Sequence, residues 1–289
     1  IASEEEATSD MCYYAAREAI DNAGISPEQI DLIIIATVTP DMAFPATGCI
    51  VQEKLGAAKA AAFDLEAGCT GFIYALSIAV HMIGARTYDY VLIVGAETFS
   101  RIINWKDRGS CVLFGDGAGA AVVGPVPDGY GFLSICLGAE GEGGKFLYQP
   151  AGGSRLPASQ ETVARNLHTI HMHGREVFKF AVRVMGDTAL ETLKRAGLSK
   201  KDVDFLIPHQ ANIRIIDAAL RRLGLPSSKV YINLDRYGNI SSASIPIALH
   251  EALGENKIKI GDTVLLVAFG AGLTYGGAVL KWWQPNPNR

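Results

Sequence analysis

The amino-acid sequence predicts an α/β fold built from two pseudo-symmetric halves. Short apolar runs rich in β-branched residues, which are typical of buried parallel strands, lie between helical or glycine-rich segments. The segment Glu18–Ile34 aligns without a gap on Glu191–Ile207, at a constant offset in numbering (191 − 18 = 173). Two glycine-rich turns, at residues 114–119 and 269–273, are also similar, because each begins with Phe-Gly and has a second glycine two positions later. Alternation and repetition together indicate a duplicated unit with covered sheets.

The individual elements follow from local patterns. The same offset carries Val91–Val94 onto Val264–Val267, so the repeat extends far beyond the first match. The Pro- and Gly-rich stretch Pro125–Gly131 is the expected joint, which divides the chain into halves at residues 1–128 and 129–289. Because equivalent loops of two such halves face each other, a ligand site at the seam should draw residues from both. We predict helices at Met11–Ala23 and Phe178–Ala196 and strands at Leu32–Thr37, Val91–Gly95, Phe205–Pro208 and Val264–Phe269.

Composition and charge exclude several classes of function. Of the 289 residues, 49% are hydrophobic, which is ample for a large buried core. The formal net charge of −4 predicts no general attraction for nucleic acid or membrane, and no apolar run approaches the ~18 residues needed to span a bilayer. Five cysteines without CxxC spacing argue against disulfides or structural zinc and favour a reducing, cytoplasmic location. Ile1 opens the chain without a signal-like segment, and we expect the chain to begin inside a longer protein.

Cys69 is the strongest candidate nucleophile. A predicted strand at Ala60–Leu65, a turn at Glu66–Gly68 and a predicted helix at Thr70–Ile83 place this cysteine at a helix N-terminus. Backbone N–H groups and the helix dipole favour a thiolate at such a position. The flanking glycines allow a sharp turn and the close approach of a substrate. The competing interpretation is a small cysteine buried in the core.

Two segments of the second half supply polar side chains that could face Cys69. His209 follows a predicted buried strand, and Asn239 precedes a Ser/Ala-rich helix that runs into Ile245–Leu253. Taken alone, each has a structural explanation, as a packed histidine and a helix-capping asparagine. Together with a cysteine they fit one mechanism, because a neutral imidazole and an amide can both donate hydrogen bonds to one thioester carbonyl. Such donors stabilise an enolate, so a malonyl thioester could lose carbon dioxide without a metal.

Seven short motifs along the chain form one specific set. They are Ala43–Pro45, Ala67–Phe72, Asp107–Gly109, Phe114–Gly119, Pro208–Asn212, Gly238–Ser244 and Phe269–Tyr275. As a set they resemble the thiolase superfamily, and specifically the β-ketoacyl-acyl carrier protein synthase III family. The resemblance covers essentially the whole chain and implies a thiolase-like duplicated αβαβα layered fold. It also implies a condensing acyltransferase that initiates fatty acid synthesis. Such an enzyme joins an acyl-CoA primer, expected to be acetyl-CoA, to malonyl-acyl carrier protein, giving 3-oxoacyl-acyl carrier protein, carbon dioxide and coenzyme A.

The resemblance implies a role for each candidate catalytic residue. Cys69 would take the primer acyl group from coenzyme A, and His209 and Asn239 would bind the malonyl thioester carbonyl. The carbanion left by decarboxylation would then attack the acyl group on Cys69. The backbone N–H groups of Cys69 and Ala271 would form the oxyanion hole. No metal is expected, and no cofactor apart from the coenzyme A thioester that serves as substrate.

The resemblance further implies how substrates and a partner subunit bind. Arg108 would stack on the adenine of coenzyme A, and Phe44 would be inserted into an acyl pocket across a homodimer interface. The pantetheine tunnel is expected to be lined by Gly174, Phe178 and Asn212. Acidic acyl carrier protein is expected to dock on Arg214, Arg221 and Arg222.

Two features depart from the pattern of the family. The first strand of the family, and the tryptophan that sandwiches the adenine, lie N-terminal to Ile1 and are absent here. Three histidines near the tunnel have H-x-x-H-x-H spacing but no role in the family. Glu161 and Glu176 are the acidic neighbours and no thiol lies close in sequence, so we do not expect a metal there. The three histidines are His168, His171 and His173.

Other functions remain to be weighed against this one. A chain-elongating synthase would need two histidines and no asparagine, and a degradative thiolase would place a second cysteine near Phe269–Gly272, so both are disfavoured. Synthases that start polyketide or quinolone-type synthesis share the Cys/His/Asn set and stay open. The glycines of Gly115–Gly119 suggest a dinucleotide-binding module, but a convincing βαβ context is lacking. The intact trio argues against a non-catalytic scaffold.

Overall fold

The computed structural model describes residues 1–285 and contains two four-stranded sheets. The first sheet and its helices comprise α1 Thr8–Ala23, β1 Leu32–Ala36, α2 Thr47–Leu55, β2 Ala61–Leu65, α3 Gly71–Gly84, β3 Val91–Thr98 and β4 Asp116–Val123. The chain continues with β5 Gly131–Ala139, β6 Leu147–Tyr148, α4 Gln160–Ala164, β7 His171–Met172, α5 Gly174–Arg195, β8 Phe205–Pro208, α6 Ile213–Leu223, α7 Leu234–Tyr237, α8 Ser244–Gly254, β9 Thr263–Gly270 and β10 Thr274–Lys281. Short 3-10 turns at Gly68–Thr70 and Ser241–Ala243 lead into α3 and α8.

The predicted strands and helices lie where the sequence placed them. The five predicted strands correspond to β1, β2, β3, β8 and β9, although β3 runs on to Thr98. The four predicted helices correspond to α1, α3, α5 and α8, and α1 and α5 begin earlier than predicted, at Thr8 and Gly174. Alternating helices and β-branched runs were therefore a sufficient signal for these elements.

Each of the two sheets contains a parallel pair of strands that is followed by an antiparallel strand. The first sheet has the order β2-β1-β3-β4, with β1 parallel to β2 and β3 and with β4 antiparallel to β3. The second sheet has the order β5-β10-β9-β8, with β8 parallel to β9 and with β10 antiparallel to both β9 and β5. The first sheet draws its strands from residues 32–123 and the second from residues 131–281. The division at residues 128 and 129 stays a prediction.

Both halves contain the same hydrogen bond between an aspartate side chain and a backbone N–H group. Asp31 Oδ2 accepts a hydrogen bond from Tyr90 N at 3.0 Å, and Asp204 Oδ2 accepts one from Thr263 N at 2.9 Å. Both members of the pair are shifted by the offset of the repeat (204 − 31 = 263 − 90). Each aspartate thus fixes the start of the strand that follows a central helix, in equivalent places.

Helices fill three layers around the two sheets. The largest apolar cluster joins α3 and α8 to the facing sides of both sheets, with Phe72 and Ile245 among its buried members. A second cluster packs α5 and α6 on the outer face of the second sheet, and a third packs α1 and α2 on the outer face of the first. The order of layers is therefore αβαβα, as the motifs implied. Within the described residues, no helix combines the length and apolarity that crossing a bilayer requires.

Candidate active site

Cys69 lies at the point where the two halves touch. It is the middle residue of the 3-10 turn between β2 and α3, and only 7% of its surface is exposed. Its N–H is in the first turn, where no intrahelical acceptor exists. A side chain at Gly270 would collide with Cys69 N, and a Cβ at Gly68 would lie 2.7 Å from Ala271 N. The turn after β9 thus rests directly on the backbone of the cysteine, where only glycine permits the approach.

The predicted resting thiolate at Cys69 is not supported. Burial raises the pKa of the Cys69 thiol to about 12, and the hydroxyl of Ser241 only partly opposes this effect. The cysteine lies one residue before the end of the 3-10 turn, and α3 itself starts at Gly71. Desolvation therefore outweighs the favourable helix terminus and favours the neutral thiol of Cys69.

His209 is a buried neutral imidazole with one nitrogen unused. The residue follows β8, and 1% of its surface is exposed. Nδ1 lies 2.7 Å from Ser244 Oγ, which accepts a 3.4 Å hydrogen bond from Gln210 N. Burial lowers the pKa of His209 to about 3, so the ring is neutral at physiological pH.

The tautomer of His209 follows from its neighbours. The hydroxyl hydrogen of Ser244 has no other acceptor in residues 1–285, so it is directed to His209 Nδ1. Nδ1 is then an acceptor, and Nε2 carries the ring hydrogen. Nε2 is buried without a hydrogen-bond partner among the described residues. Because an orphaned buried donor is costly, this N–H indicates a position where a substrate acceptor would bind.

Asn239 is held by its backbone and by its own side chain. Its N–H donates to Leu113 O at 2.7 Å, and its carbonyl accepts from Gly115 N at 3.0 Å. Its Oδ1 accepts from Ser241 N at 2.9 Å, which leaves the Nδ2 group available to donate. The glycine-rich segment around Gly115 therefore positions Asn239 and continues into β4, without the helix that a dinucleotide-binding turn would need.

Hydroxyl groups tie the two halves together beside the cysteine. Thr70 Oγ1 and Thr274 Oγ1 lie 2.6 Å apart, and they lie 2.6 and 2.8 Å from Ala67 O. Thr274 Oγ1 is also 2.9 Å from Ala271 O. The turn that carries the predicted second oxyanion donor is thereby fixed relative to the turn of Cys69.

The residues predicted to bind coenzyme A lie at helix starts and on a loop. Arg108 is exposed on the turn that precedes β4. Gly174 is the first residue of α5, and Phe178, 37% exposed, lies one turn later. Asn212 caps α6, because its side chain accepts a hydrogen bond from Arg214 N at 2.9 Å. Their roles in binding stay predictions.

The predicted carrier-protein patch and dimer residue are at the surface. Arg214 and Arg221, seven positions apart, lie on one face of α6, and both are exposed. Arg222 is turned toward α5 and forms an ion pair with Asp187. Phe44, in the loop before α2, is 83% exposed. Its role at a dimer interface stays a prediction.

The three histidines of the H-x-x-H-x-H run have local structural partners. His168 Nε2 lies 2.9 Å from Thr162 Oγ1. The ring of His171 is tilted against that of Tyr148, with centroids 5.8 Å apart, and the ring of His173 lies edge to face with that of Phe146, at 6.1 Å. No group of three or more His, Cys, Asp or Glu side chains in residues 1–285 is arranged to hold a metal ion.

Sequence reasoning missed four buried polar residues near Cys69. Ser244 orients His209, and the others are joined by hydrogen bonds or close contacts around a buried carboxylate. An acidic residue two positions after the predicted strand Val91–Gly95, and a Ser-rich run after Asn239, were the available signals. The four missed residues are Glu97, Ser241, Ser242 and Ser244.

The αβαβα layers and a cysteine seated at their seam define a thiolase-like condensing enzyme. Two family models match the chain: 3-oxoacyl-[acyl-carrier-protein] synthase III at residues 63–141, and the C-terminal part of the same synthase at residues 193–282. The β-ketoacyl-[acyl-carrier-protein] synthase III of Caldanaerobacter subterraneus subsp. tengcongensis is 61% identical over 98% of this chain and 85% of its own length. A relative of the same description from Desulfitobacterium hafniense is 57% identical over the same shares.

Solved structures agree with the sequence matches. The structure of a β-ketoacyl-[acyl carrier protein] synthase III from Thermus thermophilus aligns with a TM-score of 0.92 and 51% identity, over 99% of this chain and 87% of the other. The priming β-ketosynthase of a polyketide biosynthetic pathway aligns with a TM-score of 0.88 at 37% identity, over 99% and 85% of the two chains. The chain belongs to the β-ketoacyl-[acyl-carrier-protein] synthase III family. It is an acyltransferase, a condensing enzyme that initiates fatty acid synthesis.

Proposed function

We propose that this enzyme transfers an acetyl group from acetyl-CoA to Cys69 and then condenses it with malonyl-acyl carrier protein. The products are 3-oxoacyl-acyl carrier protein, carbon dioxide and coenzyme A. The names of its relatives support acyl carrier protein as the partner. Within the chain, the proposal rests on the buried N–H of His209 Nε2, which lacks a partner among residues 1–285.

The neutral donors His209 and Asn239 suit decarboxylation. As the malonyl carboxylate leaves, negative charge develops on the thioester oxygen, and two preorganised donors stabilise that charge most strongly in the transition state. An imidazolium at His209 would be expensive to bury, and the low pKa of His209 ensures that the ring stays neutral. Asn239 Oδ1 accepts a hydrogen bond from Ser241 N, so the Nδ2 group of the same side chain is left as the second donor.

The backbone of Cys69 and Ala271 would stabilise the tetrahedral intermediates of both acyl transfers. Cys69 N lies in a turn without an intrahelical acceptor, and the turn of Ala271 packs against it. A negatively charged oxygen on the intermediate would accept hydrogen bonds from these groups. Donors that are fixed before the reaction lower the barrier because they need no reorganisation.

Substrate delivery would use the surface residues. Coenzyme A would approach along Arg108, Gly174, Phe178 and Asn212, and the carrier protein would dock on the face of α6 that presents Arg214 and Arg221. Phe44 would be buried in a homodimer, where it would contribute to the acyl pocket of the partner subunit. These assignments follow from the family motifs and from the exposure of the side chains.

Separate assays of the two half-reactions test this function. Incubation with acetyl-CoA should add one acetyl mass to the enzyme, and Cys69→Ala should abolish the adduct, while the matched variant Cys49→Ala of an exposed cysteine should retain it. His209→Ala and Asn239→Ala should still be acylated, yet release carbon dioxide from malonyl-acyl carrier protein about 100-fold more slowly. An adduct that persists in Cys69→Ala, or unchanged carbon dioxide release in both other variants, would refute the assignment.

The acyl primer is tested with a panel of thioesters. We expect acetyl-CoA to give the highest kcat/KM with malonyl-acyl carrier protein, followed by longer and branched acyl-CoA primers. A preference for a longer primer by tenfold or more would contradict the acetyl assignment and would favour a role closer to that of the polyketide-priming relative.

A further inference from the structure

Glu251 is an acidic residue of α8 that accepts three hydrogen bonds from one short segment. Its Oε2 accepts from Asn233 Nδ2 at 2.8 Å and from Arg236 Nη2 at 2.6 Å, and its Oε1 accepts from Tyr237 Oη at 2.6 Å. The side chain of Glu251 is only 15% exposed. All three donors belong to α7 and the residue before it, and Asn239 follows two positions after this helix. One side chain of α8 therefore binds the segment that leads to a proposed catalytic donor.

The beginning of α8 contacts the other proposed donor. Ser244 is the first residue of this helix, and its hydroxyl lies 2.7 Å from His209 Nδ1. Glu251 lies seven positions further along (251 − 244 = 7), so the two side chains stand on the same face of the helix, about two turns apart. A single rigid helix thus contacts both segments of the second half that carry a proposed donor.

Gln210 links the same two segments directly. Its side chain is buried, and Nε2 donates to Pro208 O at 2.9 Å and to Tyr231 O at 3.1 Å. Its Oε1 accepts from Asn233 N at 3.2 Å. Asn233 is 2% exposed, and it is held by Gln210 through its backbone and by Glu251 through its side chain. The position of the segment after β8 relative to α7 is therefore set by one buried amide and one carboxylate.

The backbone between α7 and Asn239 has little room to adjust. Gly238 lies between them with a φ of 67°, and a Cβ there would lie 3.0 Å from Leu113 O. Asn239 N donates to that same oxygen, and its carbonyl accepts from Gly115 N. A Cβ at Gly115 would collide with Tyr237 O, so the end of α7 rests against the glycine-rich segment. A shift of α7 would therefore be transmitted to the contacts that hold the backbone of Asn239.

We propose that Glu251 is a positioning residue for the condensation reaction, which keeps the Asn239 amide and the His209 imidazole in reach of one thioester oxygen. The inference rests on the proposed function, in which both side chains donate to the malonyl thioester carbonyl. Two donors stabilise charge on one oxygen only when both lie within hydrogen-bond distance of it. Glu251 acts through the segment before Asn239. Its hydrogen bond to the Arg236 guanidinium joins two charged groups, and such bonds are stronger than those between neutral groups.

Separate measurement of the two half-reactions on the intact enzyme tests this role. Glu251→Ala removes all three contacts, so carbon dioxide release from malonyl-acyl carrier protein should slow about 10- to 100-fold, as expected for a misplaced donor. Acetyl transfer to Cys69 should change by less than about threefold, because the cysteine turn belongs to the first half. Glu251→Gln keeps one oxygen but turns an NH2 group toward donors, and its rate should lie between those of the wild type and Glu251→Ala.

A double-mutant cycle separates positioning from a general weakening of the fold. If Glu251 acts through Asn239, Glu251→Ala should slow carbon dioxide release by less than about twofold in an Asn239→Ala background. Equal slowing in both backgrounds, or an unchanged rate in Glu251→Ala when Asn239→Ala is slow, would overturn this role alone. An Asn239→Ala variant as fast as the wild type would contradict the proposed function, and this role with it.

Two further variants complete the test. Glu191→Ala is the matched control, because it also removes a glutamate that is paired with an arginine in the second half, Arg195 in α5. It should release carbon dioxide within about threefold of the wild-type rate. Tyr237→Phe removes one contact to Glu251 and leaves Asn233 bonded, and it should slow carbon dioxide release about three- to tenfold. If Glu251→Ala does not fold, Tyr237→Phe decides by the same cycle with Asn239→Ala, and equal slowing in both backgrounds again overturns the role.

Discussion

Cys69 and Ser242 occupy equivalent positions in the two halves, because the offset of the repeat separates them (242 − 69 = 173). Each is the middle residue of a 3-10 turn that leads into a central helix, and the two turns are in contact. Ser242 Oγ donates to Ala36 O at 2.7 Å, and Ala36 is in turn the counterpart of His209 (209 − 36 = 173). The duplication therefore brings two copies of one turn together, of which one carries the thiol and the other a hydroxyl.

Replacing Ser244 by alanine should impair decarboxylation more than acylation. Loss of its hydroxyl leaves His209 able to adopt the tautomer in which Nε2 is an acceptor, so one donor to the developing enolate is lost. We expect carbon dioxide release to slow about 100-fold, with acetyl transfer to Cys69 changed by less than about threefold. The control is Ser134→Ala, which removes a hydroxyl bonded to Thr192 O in the second half. Equal slowing of both steps would contradict the orienting role.

Replacing Gly270 by alanine should disturb both stability and acylation. The added Cβ would collide with the backbone N of Cys69, and backbone cannot move as cheaply as a flexible side chain. We expect a loss of about 1–3 kcal/mol in the free energy of unfolding, together with slower acylation. Gly254→Ala, at the end of α8, places its Cβ in open space and serves as the control for chemical denaturation. A Gly270 variant as stable as the control would show that the turn adapts.

The free energy of unfolding should depend on pH through Glu97. Its pKa in the folded chain is raised from 4.5 to about 7, so the folded state binds its proton more tightly than the unfolded state does. Stability from this group is therefore present below pH 4.5 and is lost as the pH rises through 7, by at most about 3 kcal/mol. Glu97→Gln lacks this loss, so its stability relative to the wild type should improve between pH 5 and pH 8 in urea titrations. A constant difference would mean that Glu97 does not titrate in this range.

Reversing the charge of Arg214 or Arg221 should weaken docking of the carrier protein. Both side chains are exposed on one face of α6, whereas Arg222 is paired with Asp187. We expect Arg214→Glu and Arg221→Glu to raise KM for malonyl-acyl carrier protein about fivefold at low salt and less at high salt, without slowing acetyl transfer from coenzyme A. Arg222→Gln should change this KM less than either reversal. A larger effect from Arg222 would move the docking surface toward α5.

Much of the fold and part of the candidate site were predictable from local sequence. The position of Cys69 follows from a strand, glycines and an apolar helix that are contiguous in the chain. His209 and Asn239 were found because each follows a recognisable local pattern, and the internal repeat indicated that the halves would meet. Local patterns suffice where backbone geometry is set by neighbours in sequence.

The ionisation of the site was not predictable in the same way. The low exposure of Cys69 depends on the turn at Gly270, and the burial of Glu97 depends on Ser242, which is 145 residues away. The predicted strand also ended at Gly95, two residues before the carboxyl group, although β3 continues to Thr98. Desolvation is a property of long-range packing, so the helix-terminus argument for a thiolate could not include it.

The hydroxyl pair Thr70–Thr274 spans 204 residues of sequence at the mouth of the reaction centre. Because the proposed catalytic groups come from both halves, opening of that seam should inactivate the enzyme before either sheet unfolds. A small molecule bound between the turn of Cys69 and the turn after β9 would contact both halves and would stabilise their association. Tight inhibitors should therefore raise the melting temperature in proportion to the logarithm of their concentration above Kd.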